Sequence, residues 1–204
     1  MSLLSSTASI TRYKVEGQLE EPVMETITNR LKQHTIVEID EDDSEKIVGW
    51  TSFETPYQPS FEGSSFIIGS YLIFSLRIDK KSIPAKIVKK HYSIEIAKKL
   101  AESDREQLSR NEKQAVKDHV ISVLSKRIPA TPNIYDLIWN YEDSVLWFLS
   151  TQKAANEELE TLFSKSFKLT LIRMFPYTIA DLTSGLSEQD REILSKLSPS
   201  DFTE

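Results

Sequence analysis

The sequence predicts an α+β protein with a largely antiparallel sheet and two linked basic helices in the middle of the chain. Runs rich in alternating, β-branched or aromatic residues predict strands, and apolar residues at helical spacing predict helices between them. The elements follow in the order β, α, β, β, α, α, β, β, α, β, α. Because hairpins and meanders outnumber crossover connections, this order favours antiparallel pairing. It divides the chain into residues 1–79, a basic segment 80–132 and residues 133–204, and the outer two could form one continuous domain.

Composition is that of an ordinary globular protein of one domain or two small ones. The chain has 204 residues, 39% hydrophobic and 27% charged, with a net charge of −6 and no cysteine. Disulfides, thiolate zinc sites and cysteine nucleophiles are therefore excluded, and a reducing compartment is indicated. The N-terminus lacks the pattern of a secretory signal, and the most apolar run, residues 66–76, is shorter than the about 20 residues that cross a bilayer. These features predict a cytoplasmic protein without a membrane partner.

The first third of the chain predicts three strands and one helix. Residues 9–16 alternate, with Tyr13 and Val15 on one side. Residues 19–33 carry an apolar face at helical spacing, and Pro22 is tolerable in the first turn. Residues 48–53 predict a second strand, and the continuous run 66–78 predicts the strongest one.

Positive charge is concentrated in residues 80–127. This segment holds thirteen basic and six acidic residues, a net charge of +7, whereas the rest of the chain holds 12 basic and 25 acidic residues, a net charge of −13. Such asymmetry points to a polyanionic partner, although a solvated helical face also carries many lysines.

Two helices are predicted to carry this charge. Ile83-Pro84 marks the start of the first, whose apolar stripe includes Val88 and Tyr92. Ile87 and Ile94 fall on the opposite, lysine-bearing side, which suggests an interface. Ser109 and Glu112 fit a capping box that starts a second helix ending near Lys126.

The last third predicts a hairpin, a helix, a strand and a helix. Residues 134–140 and 145–149 form the hairpin, with its turn at residues 141–144. Ser150 or Thr151 caps a helix that runs to about residue 164. Residues 168–174 predict a strand, and residues 188–197 a final helix.

Catalytic motifs are absent from the sequence. The five glycines are scattered singly, so no phosphate-binding loop is predicted. His91 and Glu95 stand at i, i+4, but two ligands without a third make a weak metal site. Residues 38–45 hold six acids, which favours a solvated connection over a metal centre because like charges repel. We therefore predict no catalytic residues, no metal ligands and no cofactor.

Several stretches, in their order along the chain, resemble the N-terminal half of the RdgC family of bacterial recombination-associated proteins. They are YLIFSLRIDKKSIPAKIVKK, LSRNEKQAVKDHVISVLSKR and DLIWNYEDSVLWFLSTQKAANEELETL, preceded by Gly49-Trp50. The resemblance covers roughly residues 9–180. It implies a nucleoid-associated protein that binds double-stranded DNA without sequence preference, as a ring-shaped dimer, and that restrains the recombinase RecA. Some members carry an exonuclease label, but no catalytic residues transfer. The chain is much shorter than the usual member of this family.

The basic residues predicted to contact phosphates lie at one helix start, along two helix faces and at one helix end. They are Lys80, Lys81, Lys86, Lys90, Lys113, Lys117, Lys126 and Arg127. Two other functions stay open. One is a metal-dependent nuclease that uses carboxylates of residues 38–45, among them Asp40 and Asp42. The other is a truncated relative that acts only through protein partners, with Ile87 and Ile94 at the contact.

Overall fold

A computed structural model describes residues 7–40, 42, 44–63, 65–103 and 105–197 of the chain. Within this part, the strands are β1 (Thr11–Glu16), β2 (Lys46–Thr51), β3 (Ile67–Ile68), β4 (Tyr71–Lys80), β5 (Thr131–Asn140), β6 (Val145–Phe148) and β7 (Thr170–Arg173). The helices are α1 (Val23–Gln33), α2 (Ala85–Ser103), α3 (Arg110–Ser125), α4 (Lys153–Phe167), α5 (Pro176–Thr183) and α6 (Glu188–Lys196). None of these helices is long and apolar enough to span a bilayer.

The strands pair in the order β2-β4-β5-β6-β1-β7, and β3 pairs with β4. Strand β1 runs antiparallel to both β6 and β7. The predicted hairpin is present as β5 and β6, with Leu137 opposite Phe148. The α+β class with a largely antiparallel sheet is therefore confirmed.

Some element boundaries differ from the sequence prediction. The predicted single strand 66–78 is two strands, because the chain turns at Gly69, whose φ of +62° suits a residue without a side chain. Helix α4 begins after Gln152, and neither Ser150 nor Thr151 is its N-cap. Helix α5 was not predicted from the sequence, and Pro176 occupies its first turn, where a proline is tolerated.

The described chain forms two compact units, each assembled from separate stretches. The first contains residues up to 30, 62–74 and 135 onward. Its core holds Trp139, which packs edge-on against Phe163 with ring centroids 5.0 Å apart. Tyr13 and Val15 are buried, as the alternation of β1 predicts. Aromatic side chains contribute to this core together with many leucines, and each aromatic ring buries a large apolar area.

The second unit contains residues 31–61 and 75–134. Strands β2 and β4 pair here, with Trp50 opposite Leu76. The backbone of β2 at Gly49 lies close to the backbone of Ile36, because a Cβ added to Gly49 would be 2.5 Å from the Ile36 Cα. The unit also contains α2 and α3, which carry most of the basic segment.

Candidate nucleic-acid interface

Helix α3 begins where the sequence predicts, at a capping box. The Glu112 amide donates to Ser109 Oγ at 3.3 Å, and the Ser109 amide donates to Glu112 Oε2 at 2.8 Å. These bonds hold the pKa of Glu112 below its ordinary value, with the backbone amide of Ser109 as the largest cause. Since the folded pKa is the lower one, the stabilisation is present above the ordinary carboxyl pKa and is lost as pH falls.

Helices α2 and α3 pack against each other along an apolar seam. The buried residues of the seam are Leu108, Val116, Val120 and Leu124. Val88 and Tyr92 of α2 pack on it, although no residue of α2 is itself buried. The seam leaves the lysine-bearing sides of both helices open to solvent.

One side of the seam forms a cleft of about 580 Å³. Its lining combines an apolar floor, which includes Ile83 and Tyr92, with Lys89 of α2 and Lys117 of α3. The structure thus places Lys117, a predicted phosphate contact, in the same cleft as Lys89, which the sequence prediction did not include. The missed signal was positional, because Lys89 lies one helical turn after Ala85 on the side facing α3.

Seven of the eight predicted residues have exposed side chains. These are Lys80, Lys86, Lys90, Lys113, Lys117, Lys126 and Arg127. None of the seven forms an ion pair with a residue in the described ranges. We call these seven residues together with Lys89 the basic surface. Its charges are open to an anionic partner.

Lys81 differs from the others because its side chain is buried. Its ammonium group donates to the backbone carbonyls of Asp40 at 3.1 Å, Asp42 at 2.5 Å and Ser125 at 2.8 Å. Only 5% of the residue is exposed. All three donors of a lysine are thus used inside the protein, which argues against a phosphate contact. Lys81 instead links the end of α3, at Ser125, to the backbone of Asp40 and Asp42 in the acidic segment 38–45.

Replacing Lys81 with Met is expected to destabilise the protein by about 2–4 kcal/mol, because buried carbonyls lose their charged donor. Chemical denaturation measures this change. Lys80→Met removes the same charge from the exposed neighbouring position and should stay within about 0.5 kcal/mol of the unsubstituted chain. Equal stability of the two variants would contradict the structural role of Lys81.

The acidic residues 38–45 make structural contacts where the structure describes them. Glu38 Oε1 pairs with Arg77 at 2.9 Å, and Asp40 Oδ1 accepts the Ala130 amide at 2.8 Å. Glu41 and Asp43 of this predicted run lie outside the described residues. Within the described residues, no group of three or more potential ligands is placed to hold a metal ion.

His119 of α3 joins His91 and Glu95 of α2 around a small pocket of about 50 Å³ on the other side of the seam. Arg127 also lines this pocket. The sequence spacing identified the His91 and Glu95 pair, and the antiparallel packing of the two helices adds His119. A guanidinium beside these groups disfavours a second cation there.

Comparison with known protein families gives a match over most of the chain. A family model described as "Putative exonuclease, RdgC" matches residues 8–189. The Recombination-associated protein RdgC of Mannheimia succiniciproducens is 30% identical over 119 residues, which cover 58% of this chain and 37% of that protein. The matched region therefore covers well under half the length of this relative. Because the family model matches most of the sequence, the chain belongs to the RdgC family.

Proposed function

We propose that this protein binds double-stranded DNA without sequence preference through the basic surface of α2 and α3. The observation that carries the proposal is the concentration of exposed, unpaired lysines on one helix pair of a chain whose net charge is −6. The name of the relative, "Recombination-associated protein", supports a role in homologous recombination. In this proposal the protein is a non-enzymatic, nucleoid-associated dimer or higher oligomer that restrains the recombinase RecA.

Lysines favour affinity over sequence readout. Each ammonium group is a point charge on a flexible stem, so it can follow a phosphate without fixing the geometry of a base contact. Neutralised phosphates release condensed counterions, which makes binding strong at low salt and independent of sequence. The acidic remainder of the chain would repel DNA and so confine binding to the basic surface.

Fluorescence anisotropy of a labelled random duplex, titrated at several salt concentrations, tests this function. Light scattering on the same sample gives the oligomeric state. About five neutralised phosphates should produce a slope of about −4.5 in a plot of log affinity against log salt. A folded protein that leaves the duplex free even at low salt would overturn the proposal.

A nuclease is the second candidate, favoured by the description of the matching family. In that case, magnesium or manganese would support loss of a DNA substrate over time, and Asp40→Ala or Asp42→Ala would abolish it. Intact DNA after long incubation with either cation would exclude this candidate.

A protein-docking function is favoured by two exposed apolar residues of α2. Ile87 is 39% exposed and Ile94 is 51% exposed. If this surface binds only protein, then partner binding would survive charge reversal of Lys86, Lys90, Lys113 and Lys117. Loss of DNA binding in the same variant would instead support the first function.

A further inference from the structure

The cleft between α2 and α3 continues past the part that holds Lys89 and Lys117. A second depression of about 250 Å³ adjoins it and shares three apolar lining residues with it, Ile83, Val88 and Ile121. The two depressions therefore form one groove with a continuous apolar floor. Each of the three shared residues is only partly buried, so the groove exposes apolar surface to solvent. We call it the seam groove.

Charge is distributed unequally along the seam groove. At one end, Lys89 of α2 and Lys117 of α3 are exposed, and neither forms an ion pair with a residue that the structure describes. At the other end, Glu45 is exposed, and the ammonium group of Lys81 is used inside the protein. The groove is thus basic at one end and acidic at the other.

This distribution fits a peptide better than a nucleic-acid backbone. Phosphates repeat at every nucleotide, so a strand that follows the groove would place negative charge beside Glu45 and over the apolar floor. A peptide can instead place carboxylates at the lysines and apolar side chains on Ile83, Val88 and Ile121. The larger depression, of about 580 Å³, lies within the range of about 300–1,000 Å³ that is usual for ligand clefts.

A helical peptide suits the packing of α2. Val88 and Tyr92 pack on the seam and line the cleft, but both are only partly buried. None of the 19 residues of α2 is buried. A third helix lying between α2 and α3 would cover both side chains, because apolar residues at i, i+3 and i+4 of one helix fit the grooves of its neighbours.

We propose that the seam groove binds an acidic amphipathic helix of a partner protein, with carboxylates on Lys89 and Lys117 and apolar side chains on the floor. This surface differs from the exposed Ile87 and Ile94, which line neither depression. Peptide binding here needs no DNA, so it can be measured apart from the proposed function. Because both lysines belong to the basic surface, a bound partner would leave fewer charges for DNA.

Fluorescence anisotropy with a labelled synthetic helix of about 16 residues tests the groove, since shorter helices are marginal in water. The leucines of this peptide lie at i, i+4 and i+7, and its glutamates flank them. A second peptide carries Lys at every Glu, and we expect it to bind about tenfold more weakly or worse, because it repels the two lysines. Equal binding of both peptides by the folded protein would overturn the proposal.

Paired lysine variants locate the bound peptide. Gln at both Lys89 and Lys117 should weaken binding of the acidic peptide about tenfold, because two exposed ion pairs are lost. Gln at both Lys98 and Lys99 is the matched control, since these lysines are exposed on α2 and line neither depression. The control should bind as the unsubstituted chain does. Equal losses in the two variants would contradict binding in the seam groove.

A carboxylate placed in the groove gives a second, independent variant. Ala85 is exposed and lines the cleft, so Ala85→Glu should leave the fold intact, which circular dichroism checks. We expect this variant to bind the acidic peptide about tenfold more weakly or worse through repulsion. Ala97→Glu, on the same helix outside the groove, should bind normally. A dimer that only Ala85→Glu dissociates, together with no peptide binding, would assign the groove to a second copy and overturn the proposal.

Discussion

Replacement of Lys86, Lys90, Lys113 and Lys117 by Gln is expected to lower the affinity for random duplex DNA about a hundredfold or more at low salt. Each lysine that neutralises a phosphate contributes about 0.9 to the slope of log affinity against log salt. The slope should therefore become less steep by about 3.6 when four such lysines are lost. Anisotropy titrations over a range of salt concentrations measure both quantities.

A second variant matches the first in net charge. It carries Gln at Lys32, Lys46, Lys153 and Lys165, which are exposed and lie outside α2 and α3. If the basic surface binds DNA, then this variant should keep the slope of the unsubstituted chain. Equal losses in both variants would mean that net charge alone governs binding, and this result would contradict an interface on α2 and α3.

Arg77→Met is expected to cause the largest loss of stability, about 3–5 kcal/mol, because it leaves a buried carboxylate without its partner. The guanidinium binds Asp79 through two bonds, from Nε at 2.8 Å and from one terminal nitrogen at 2.5 Å. The two side chains are 4% and 1% exposed. Urea denaturation of the variant measures the change in the free energy of unfolding.

The double variant Arg77→Met with Asp79→Asn provides the control. It removes the negative charge as well as its partner, so most of the lost stability should return. A double variant as unstable as the single one would show that Arg77 stabilises the fold through other contacts. Those contacts include the Pro56 carbonyl at 3.3 Å and the Tyr57 ring, whose centroid is 5.6 Å from the guanidinium carbon.

Local signals in the sequence predicted most elements of the fold. The capping box at Ser109 and the alternation around Tyr13 were confirmed, because each depends on residues within a few positions. The turn at Gly69 was missed, since the apolar residues on both sides of it gave one continuous strand signal. Local sequence patterns did not predict which polar side chains are buried against backbone that is distant in the sequence. Lys80 and Lys81 are identical in sequence, and only the fold places the second beside the carbonyl of Ser125.

A concave site of about 220 Å³ near the starts of β1 and α5 could not be predicted from the sequence. Its lining comes from residues 10–12, 151–156 and 173–175, and no short motif joins them. The pairing of β1 with β7 places Tyr13 opposite Arg173, and α4 then contributes Asn156. Lys89 could be counted as a basic residue, but its place in the cleft depends on how α2 packs against α3.

Helix α2 is held to the fold only by partly buried side chains, since none of its 19 residues is buried. Segments with little buried apolar area open locally at a lower free energy than the core. Backbone amides of α2 should thus exchange with deuterium faster than those of α3, whose Val116 and Val120 are buried. Phosphates bound along α2 would oppose this opening, so bound DNA should slow the exchange of the α2 amides.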